Sequence, residues 1–421
     1  MVAIRSDVEA RSGGKLSATL ADGPLSGIRV LELGSTVAGP FCGRLLADFG
    51  AEVIKVEDEA GDTVRSMGKR VGSRSLYAAS IFRNKALISI DLRRAEGQEI
   101  VRKLVAKSDI VVENFRPGAL ERWGLGYDAL SLITPGLIMV RISGFGQTGP
   151  YATRPGFGVI SEALSGLRHV TGDPDRPPAR VAVSLTDYVA GLYGAFGAVM
   201  ALFARVRTGR GQVVDSALYE AAFSFMEPHI PAYEKLGHVA TRAGSRLPDS
   251  VPNNLFATRD RGFIHIAAVG EPVFRRLLQL MGRSELADDA RFCDGVARGA
   301  HADELDAIIG DWTADQDLDP LEAALHAASV PASRIFTMAD IFRDPHFAAR
   351  DTIVAAPDAE LGSIRMANVV PRLSATPGRV RAAGGGTVGT DTWDVLRRLA
   401  GLDDAEIAAL VEDRVVAGAR P

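Results

Sequence analysis

The sequence predicts an α/β protein with a doubly wound parallel sheet in a large domain and a smaller α+β domain in the middle of the chain. Short apolar runs alternate with amphipathic stretches of helical length, and this alternation is typical of βαβ units. The chain has 421 residues, which exceeds what one hydrophobic core usually supports. With 47% hydrophobic and 24% charged residues, its composition excludes the wholly disordered and collagen-like classes.

The large domain begins near residue 25 with an apolar run, a glycine-containing loop and a helix that ends at Gly50. A second apolar run follows and completes a βαβ unit. The alternation continues to residue 231, so 25–231 is assigned to the first part of this domain. The predicted strands are 28–33, 52–56, 86–92, 109–112, 137–142 and 212–216, and the predicted helices are 40–49, 95–106 and 186–205.

The remaining segments differ in pattern from the large domain. Residues 232–334 combine a proline-broken loop, one strand candidate at 263–268 and amphipathic helices, which predicts the small domain. Residues 335–421, with a helix at 392–399, are predicted to be a linker and a return to the large domain. Residues 1–24 mix charges with small residues and predict a flexible extension rather than a signal peptide.

Charge and cysteine content narrow the possible partners. The 48 basic and 52 acidic side chains give a net charge of −4 without a basic stripe, so neither a nucleic acid nor a membrane partner is predicted. Cys42 and Cys293 lie far apart, and the histidines never occur at ligand spacing, so no metal site is expected and a cytoplasmic location is favoured. The uncharged stretch 188–204 just reaches membrane-spanning length, but its regularly spaced glycines favour a buried helix.

Two features remain ambiguous from the residues alone. Gly144 to Gly149 match the dinucleotide pattern GxGxxG, but the prolines and glycines that follow favour an irregular surface loop. Asp187 is the only carboxylate at the amino end of the long apolar helix. Such an aspartate serves either as a favourable first-turn charge or as a catalytic group, and the pattern alone leaves both open.

A set of short motifs, which occur in a fixed order along the chain, indicates a protein family. They are LSGIRVLEL at 25–33, AGPFC at 38–42, LADFGAEVIKVE at 46–57, NK at 84–85, DIVVENFRPG at 109–118, GLGY at 124–127, GFGQTGP at 144–150 and TGRGQ at 208–212. With these motifs, the chain from about Leu25 to Val416 resembles the class III CoA-transferase family, also called the CaiB/BaiF family.

The resemblance implies an interlocked, ring-like homodimer whose subunits have a Rossmann-like large domain built from both chain ends. It implies that Asp187 is a nucleophile that forms a mixed anhydride with the donor acyl group and then an aspartyl-CoA thioester. No permanently bound cofactor is implied, because the CoA thioester is a substrate. The CoA-binding residues implied by the family are Val37, Ala38, Gly39, Ile90, Arg93, Asn114, Phe115, Arg122 and Arg154.

The details favour some branches of the family over others. Asp58 stands where the formyl-CoA:oxalate branch has arginine, so oxalate is not the expected acceptor. The His-Asp pair of α-methylacyl-CoA racemases is missing near 156–158, which removes one of the two bases that a racemase needs. Residues 158–166, 172–178 and 227–233 look most like branches that use succinyl-CoA with malate, citramalate, mesaconate or itaconate. The alternatives are a racemase-like isomerase, an intramolecular transfer within one dicarboxylate, and a non-catalytic acyl-CoA-binding protein.

Overall fold

The computed structural model describes residues 23–420, which divide into two compact units. The first contains the described residues up to Leu167, Val181–Ile230 and the described residues from Ala349 onward. The second contains Arg168–Arg180 and Pro231–Ala348. These units do not coincide with the sequence-based limits at 232 and 334, since 168–180 groups with the middle of the chain. The reason is local pairing, in which the Gly244 amide donates to the Gly172 carbonyl at 3.0 Å.

The helices and strands are numbered in chain order. The strands are β1 Arg29–Glu32, β2 Glu52–Glu57, β3 Arg70–Val71, β4 Arg74–Ser75, β5 Lys85–Ile90, β6 Ile110–Glu113, β7 Ile138–Ser143, β8 Val213–Ala217, β9 Asn253–Ala257, β10 Phe263–Ala267, β11 Ala332–Arg334, β12 Ile353–Asp358, β13 Gly362–Ala367 and β14 Val416–Ala417. The α-helices are α1 Ala38–Asp48, α2 Leu76–Ile81, α3 Ala95–Val105, α4 Ala119–Arg122, α5 Tyr127–Ile133, α6 Gly158–Leu164, α7 Leu185–Thr208, α8 Leu218–Phe223, α9 His229–Leu236, α10 Glu271–Leu280, α11 Gly295–Ala300, α12 Ala302–Ala314, α13 Leu318–Ala327, α14 Met338–Ile341, α15 Pro345–Ala349, α16 Thr392–Val395 and α17 Asp404–Glu412. Short 3₁₀ turns occupy Thr63–Ser66, Ser224–Met226 and Ser284–Asp288, and a π-helical turn follows α16 at Leu396–Ala400.

The sheet of the first unit has the strand order β14-β5-β2-β1-β6-β7-β8. All neighbouring strands are parallel except β14, which is antiparallel to β5. Strands β1, β6 and β7 are almost entirely buried, as expected for a sheet covered on both faces. The predicted α/β class with a parallel-dominated sheet is therefore confirmed. The chain moves outward from β1 in one direction and from β6 in the other, so the topological switch point lies between β1 and β6.

The long helix α7 is buried on one face only. A side chain on Gly191 would meet the Ala38 carbonyl oxygen at 2.7 Å, and one on Gly194 would meet Val140 at 3.1 Å, so both glycines let α7 lie close to α1 and the sheet. The opposite face is exposed, which differs from the predicted buried helix. Its side chains include Leu192, Phe196, Val199, Met200, Phe203 and Val206. In the described part of the chain, this 24-residue helix is the one long and apolar enough to cross a membrane.

The second unit is built around a small antiparallel sheet with the order β11-β10-β9. Ile264 and Ile266 of its central strand are fully buried in a core cluster with apolar residues of helices α10, α12 and α13. The sequence predicted only β10, because β11 has three residues and β9 begins with two asparagines. The β12-β13 hairpin of the first unit was also missed.

Candidate active site

The carboxyl ends of β1 and β6 lie at the switch point of the sheet, which is where ligands bind in open α/β folds. Asn114 joins the two loops that leave these strands. Its Oδ1 accepts a hydrogen bond from the Ser35 amide at 2.7 Å, and its Nδ2 donates to the Ser35 carbonyl at 2.8 Å. Gly39 lies directly beside this bridge, because a side chain there would stand 3.1 Å from the Gly34 Cα and 3.3 Å from the Asn114 Cγ. A side chain at Gly34 or Gly39 would push these neighbouring atoms apart by a few tenths of an ångström, so glycine suits both positions.

Two buried charged side chains hold the backbone of the same loop. Thr36 has a positive φ of 67°, and its amide donates to Asp62 Oδ1 at 2.9 Å. Asp62 forms an ion pair with the buried Lys55 at 2.9 Å, and Lys55 also donates to the Gly34 carbonyl. Burial alone would raise the pKa of Asp62, but the Lys55 ammonium and backbone N–H groups outweigh it and lower the pKa. The sequence signal for this support is a charged residue, Lys55, in the middle of an apolar strand.

The implied CoA-binding residues fall into two groups. Val37, Ala38 and Gly39 lie together with Asn114 at the start of α1 and are buried, so this part of the loop offers mainly backbone to a ligand. Phe115 follows Asn114 and makes an edge-to-face contact with Trp123 at 5.4 Å.

The other four implied residues are distributed over different elements. Ile90 is a fully buried core residue of β5. Arg93 is exposed and pairs with Asp91 at 2.7 Å. Arg122 and Arg154 are also exposed, on the segments after β6 and β7, and the Arg154 guanidinium lies 3.6 Å over the Tyr151 ring. All four still belong to the ends of strands or to segments that follow them on the carboxyl side of the sheet.

Asp187 lies in the first turn of α7. This helix connects the parallel strands β7 and β8, so it begins near the carboxyl edge of the sheet and runs back to the amino edge. The carboxylate is packed against Gly158, the first residue of α6. A methyl group on Gly158 would stand 3.0 Å from the Asp187 Cγ, 2.6 Å from the Thr186 Oγ1 and closer still to the Asp187 Oδ2. The glycine therefore makes room for this carboxylate.

A pair of tyrosines that the sequence did not single out lies beside Asp187. The hydroxyl groups of Tyr77 and Tyr188 are 2.8 Å apart. Burial raises the pKa of Tyr77, and the Tyr188 hydroxyl and the negative charge of Asp187 raise it further. Tyr77 is therefore held as a neutral phenol. The only sequence signal was that Tyr188 directly follows the candidate nucleophile.

The GxGxxG segment forms an irregular loop, as predicted. The Gly146 amide donates to Ser143 Oγ at 3.0 Å, and the Gln147 amide donates to Asp215 Oδ2 at 2.9 Å. No helix begins until Gly158. Since a dinucleotide fingerprint needs free amides at a helix start, this loop does not fit one. Within residues 23–420, no three His, Cys, Asp or Glu side chains gather as a metal site.

Comparison with known proteins identifies the family of the chain. The profile described as CoA-transferase family III matches residues 25–392. The chain belongs to CoA-transferase family III. This confirms the resemblance seen in the sequence motifs.

Its relatives extend over almost the whole chain. It is 49% identical over 395 residues to the succinyl-CoA–D-citramalate CoA-transferase of Chloroflexus aurantiacus, covering 93% of this chain and 98% of that one. It is 40% identical over 398 residues to the beta subunit of succinyl-CoA–L-malate CoA-transferase from the same organism, with 93% and 98% coverage. A solved CaiB/BaiF family protein from Brucella suis superposes with a TM-score of 0.80 at 35% identity, covering 90% of this chain and 100% of that one.

Proposed function

We propose that this enzyme transfers CoA from succinyl-CoA to a dicarboxylic acid of the citramalate, malate, mesaconate or itaconate type. The observation that carries the proposal is its 49% identity, over 93% of the chain, to a succinyl-CoA–D-citramalate CoA-transferase. A succinyl-CoA–L-malate enzyme is 40% identical, and a succinyl-CoA:mesaconate enzyme of Haloarcula hispanica is 37% identical over 340 residues. These relatives share the donor and differ in the acceptor, so the donor is the firmer part of the proposal.

In the proposed mechanism, the Asp187 carboxylate attacks the thioester carbonyl of succinyl-CoA. The C–S bond breaks, CoA thiolate leaves, and a mixed anhydride of Asp187 and succinate remains. The thiolate then attacks the aspartyl carbonyl, which releases succinate and gives an aspartyl-CoA thioester. The acceptor carboxylate repeats these two steps in reverse order, so that Asp187 is regenerated and the new CoA ester is formed. A carboxylate suits the task because it is both a nucleophile and a leaving group.

The proposed CoA site lies at the carboxyl ends of β1 and β6, at the switch point of the sheet. Asn114 and the glycines fix the loop that contains Val37, Ala38 and Gly39, and a fixed backbone costs less free energy to organise around a ligand. The exposed arginines on the neighbouring segments, Arg93, Arg122 and Arg154, are proposed to meet the phosphates of CoA. Phe115 and Ile90 are proposed to border the same site.

We also propose that the enzyme is a cytoplasmic homodimer. The exposed face of α7 supports this, because soluble monomers rarely leave so large an apolar strip uncovered. Its membrane-spanning length has another explanation, since the glycine face of the same helix packs tightly on α1. The unpaired thiols of Cys42 and Cys293 are compatible with a reducing compartment.

The proposal is tested by chromatography of CoA esters after the enzyme is mixed with succinyl-CoA and single acids. The acids are malate, citramalate, mesaconate, itaconate, glutarate and oxalate. Asp187→Ala should fold normally and lose transfer by about three or more powers of ten, each worth about 1.4 kcal/mol. Glu99→Gln, which removes an exposed carboxylate of α3, is the matched control and should keep full activity.

A new ester that depends on Asp187 would establish the reaction and name the acceptor. Wild-type turnover by a folded Asp187→Ala protein would refute the mechanism. If no acid gives an ester, transfer from succinyl-CoA to these acids is refuted. Deuterium incorporation at the α-carbon in heavy water would then identify a racemase-like isomerase.

A further inference from the structure

The first turn of α7 lacks the usual support of a helix start. Its N-cap residue is Ser184, whose side chain makes no capping hydrogen bond to the helix backbone. The glycine that brings α7 close to the backbone of α1 is Gly191, which lies one turn beyond Asp187. Helix ends without caps fray readily, yet the proposed nucleophile lies in this turn. Contacts other than a side-chain cap therefore hold this turn, in which Thr186 is buried.

Tyr188 supplies one such contact. Its ring meets the Phe41 ring edge to face at a centroid distance of 4.7 Å, and its hydroxyl reaches Tyr77 at 2.8 Å. The rings of both tyrosines pack against a small core cluster that includes Val37 and Phe82. The two hydroxyls therefore meet at the ends of rings whose positions are already fixed by packing.

Tyr77 is a rigid partner because its own helix is well capped. The Ser75 Oγ accepts from the Ala78 amide at 3.1 Å and donates to the Met67 carbonyl at 2.8 Å. Gly68, at φ +73°, brings the preceding loop close to Tyr77, since a side chain there would meet the Tyr77 Cβ at 3.0 Å. The uncapped first turn of α7 is thus tied to the capped first turn of α2.

We propose that the hydrogen-bonded pair Tyr77–Tyr188 positions the Asp187 carboxylate for attack on the thioester. This inference rests on the proposed nucleophilic role of Asp187. Holding Tyr188 fixes the backbone of the residue before it, so the carboxylate points in one direction next to Gly158. A nucleophile held in an attack geometry gains rate without any change in its chemistry. The pair acts through Asp187, so both tyrosines are positioning residues.

The state of the pair suits this role over the working pH range. Burial, the Tyr188 hydroxyl and the Asp187 charge all raise the pKa of Tyr77, while the Ser184 side chain lowers it by a smaller amount. A phenol with a raised pKa keeps its proton, so the hydrogen bond between the tyrosines persists when the solution becomes mildly alkaline.

The test compares Tyr77→Phe, Tyr188→Phe and the double variant, which keep the rings and remove only hydroxyls. Each single variant should lower kcat about five- to tenfold with KM for both substrates within about twofold, since the hydrogen bond between the two neutral hydroxyls is lost. Tyr77→Phe also removes a hydrogen bond with the Ser184 side chain. The double variant should therefore be no slower than Tyr77→Phe, because that variant already removes the bond to Tyr188. Tyr193→Phe is the matched control. It loses a hydroxyl on the same helix, bonded to Ser224 at 3.0 Å, and should keep wild-type kcat.

Two readouts separate positioning from general stability. Intact-protein mass spectrometry in a single turnover should show slower formation of the aspartyl-CoA thioester in the variants. A crystal structure of the double variant should show the Asp187 carboxylate displaced or in more than one rotamer. If the wild type is active and the variants keep its kcat, or if their losses multiply, the positioning role is refuted and the proposed function stands. If the wild type transfers CoA to no acid, the proposed function fails, and an unmoved carboxylate in the double variant refutes the positioning as well.

Discussion

Replacing Gly158 by alanine should slow the enzyme while leaving it folded. The added methyl carbon would stand 3.0 Å from the Asp187 Cγ and 2.6 Å from the Thr186 Oγ1. Non-bonded carbon atoms pack at about 3.5–4.0 Å, so the carboxylate must move by roughly 0.5–1 Å. A misplacement of about 1 Å at a reacting group can cost about a hundredfold in rate. We therefore expect kcat to fall by about 10- to 100-fold.

The assay is the initial rate of CoA ester formation, measured together with thermal unfolding. Gly299→Ala is the matched control, because this helical glycine of α11 has no neighbouring atom within 4 Å of the added carbon. That variant should keep its activity and gain about 0.5–1 kcal/mol of stability, as alanine favours the helix. Wild-type kcat in a folded Gly158→Ala protein would refute the reasoning, since the carboxylate would then have moved without consequence.

Three further predictions concern the loop after β1, a buried ion pair at the end of α1, and the Asp62 carboxylate that supports the loop. Asn114→Ala removes both hydrogen bonds to Ser35, each worth about 1 kcal/mol, and should raise KM for succinyl-CoA about tenfold with little change in kcat in steady-state kinetics. Arg83→Met leaves the buried Asp48 without its closest cation, 2.6 Å away, and should cost about 3 kcal/mol in urea unfolding. The folded protein lowers the pKa of Asp62, so its stabilising effect is complete above the unfolded value of about 3.9 and is lost as the pH falls through the folded value. Asp62→Asn should therefore show a shallower loss of stability in urea unfolding as the pH falls from about 5 to about 2.

The main sheet could be predicted from the sequence because its central strands are buried on both faces. Such strands are continuous apolar runs, and 52–56 and 137–142 lie within one residue of the observed β2 and β7. β14 has only two residues and carries no such pattern. The exposure of one face of α7 also escaped prediction, because an apolar helix has the same sequence whether solvent or protein lies against it.

The sequence names candidate residues for the site one by one, but it does not give their arrangement. Asp187 was singled out by its position at the start of the long apolar helix and by the family resemblance, and Asn114 by the resemblance. The contacts around these residues join positions that are far apart in the sequence. Examples are the hydrogen bond between Tyr77 and Tyr188 and the close approach of Gly158 to Asp187. Pairings of this kind depend on how α2, α6 and α7 are placed by the sheet, and a local pattern does not contain that information.

The antiparallel edge strand β14 has a consequence for the order in which the protein is made. Val416 of β14 pairs with Ile90 of β5, and the Ala417 carbonyl accepts a hydrogen bond from Thr392 Oγ1 at 2.7 Å. Strand β5 therefore gains its outer partner only after more than 300 further residues have been synthesised. During synthesis the outer edge of β5 is an open template for pairing with other chains. The antiparallel sheet of the second unit is complete at β11, well before that point. Tags or truncations near residue 416 should therefore affect the yield of soluble protein more than its catalytic constants.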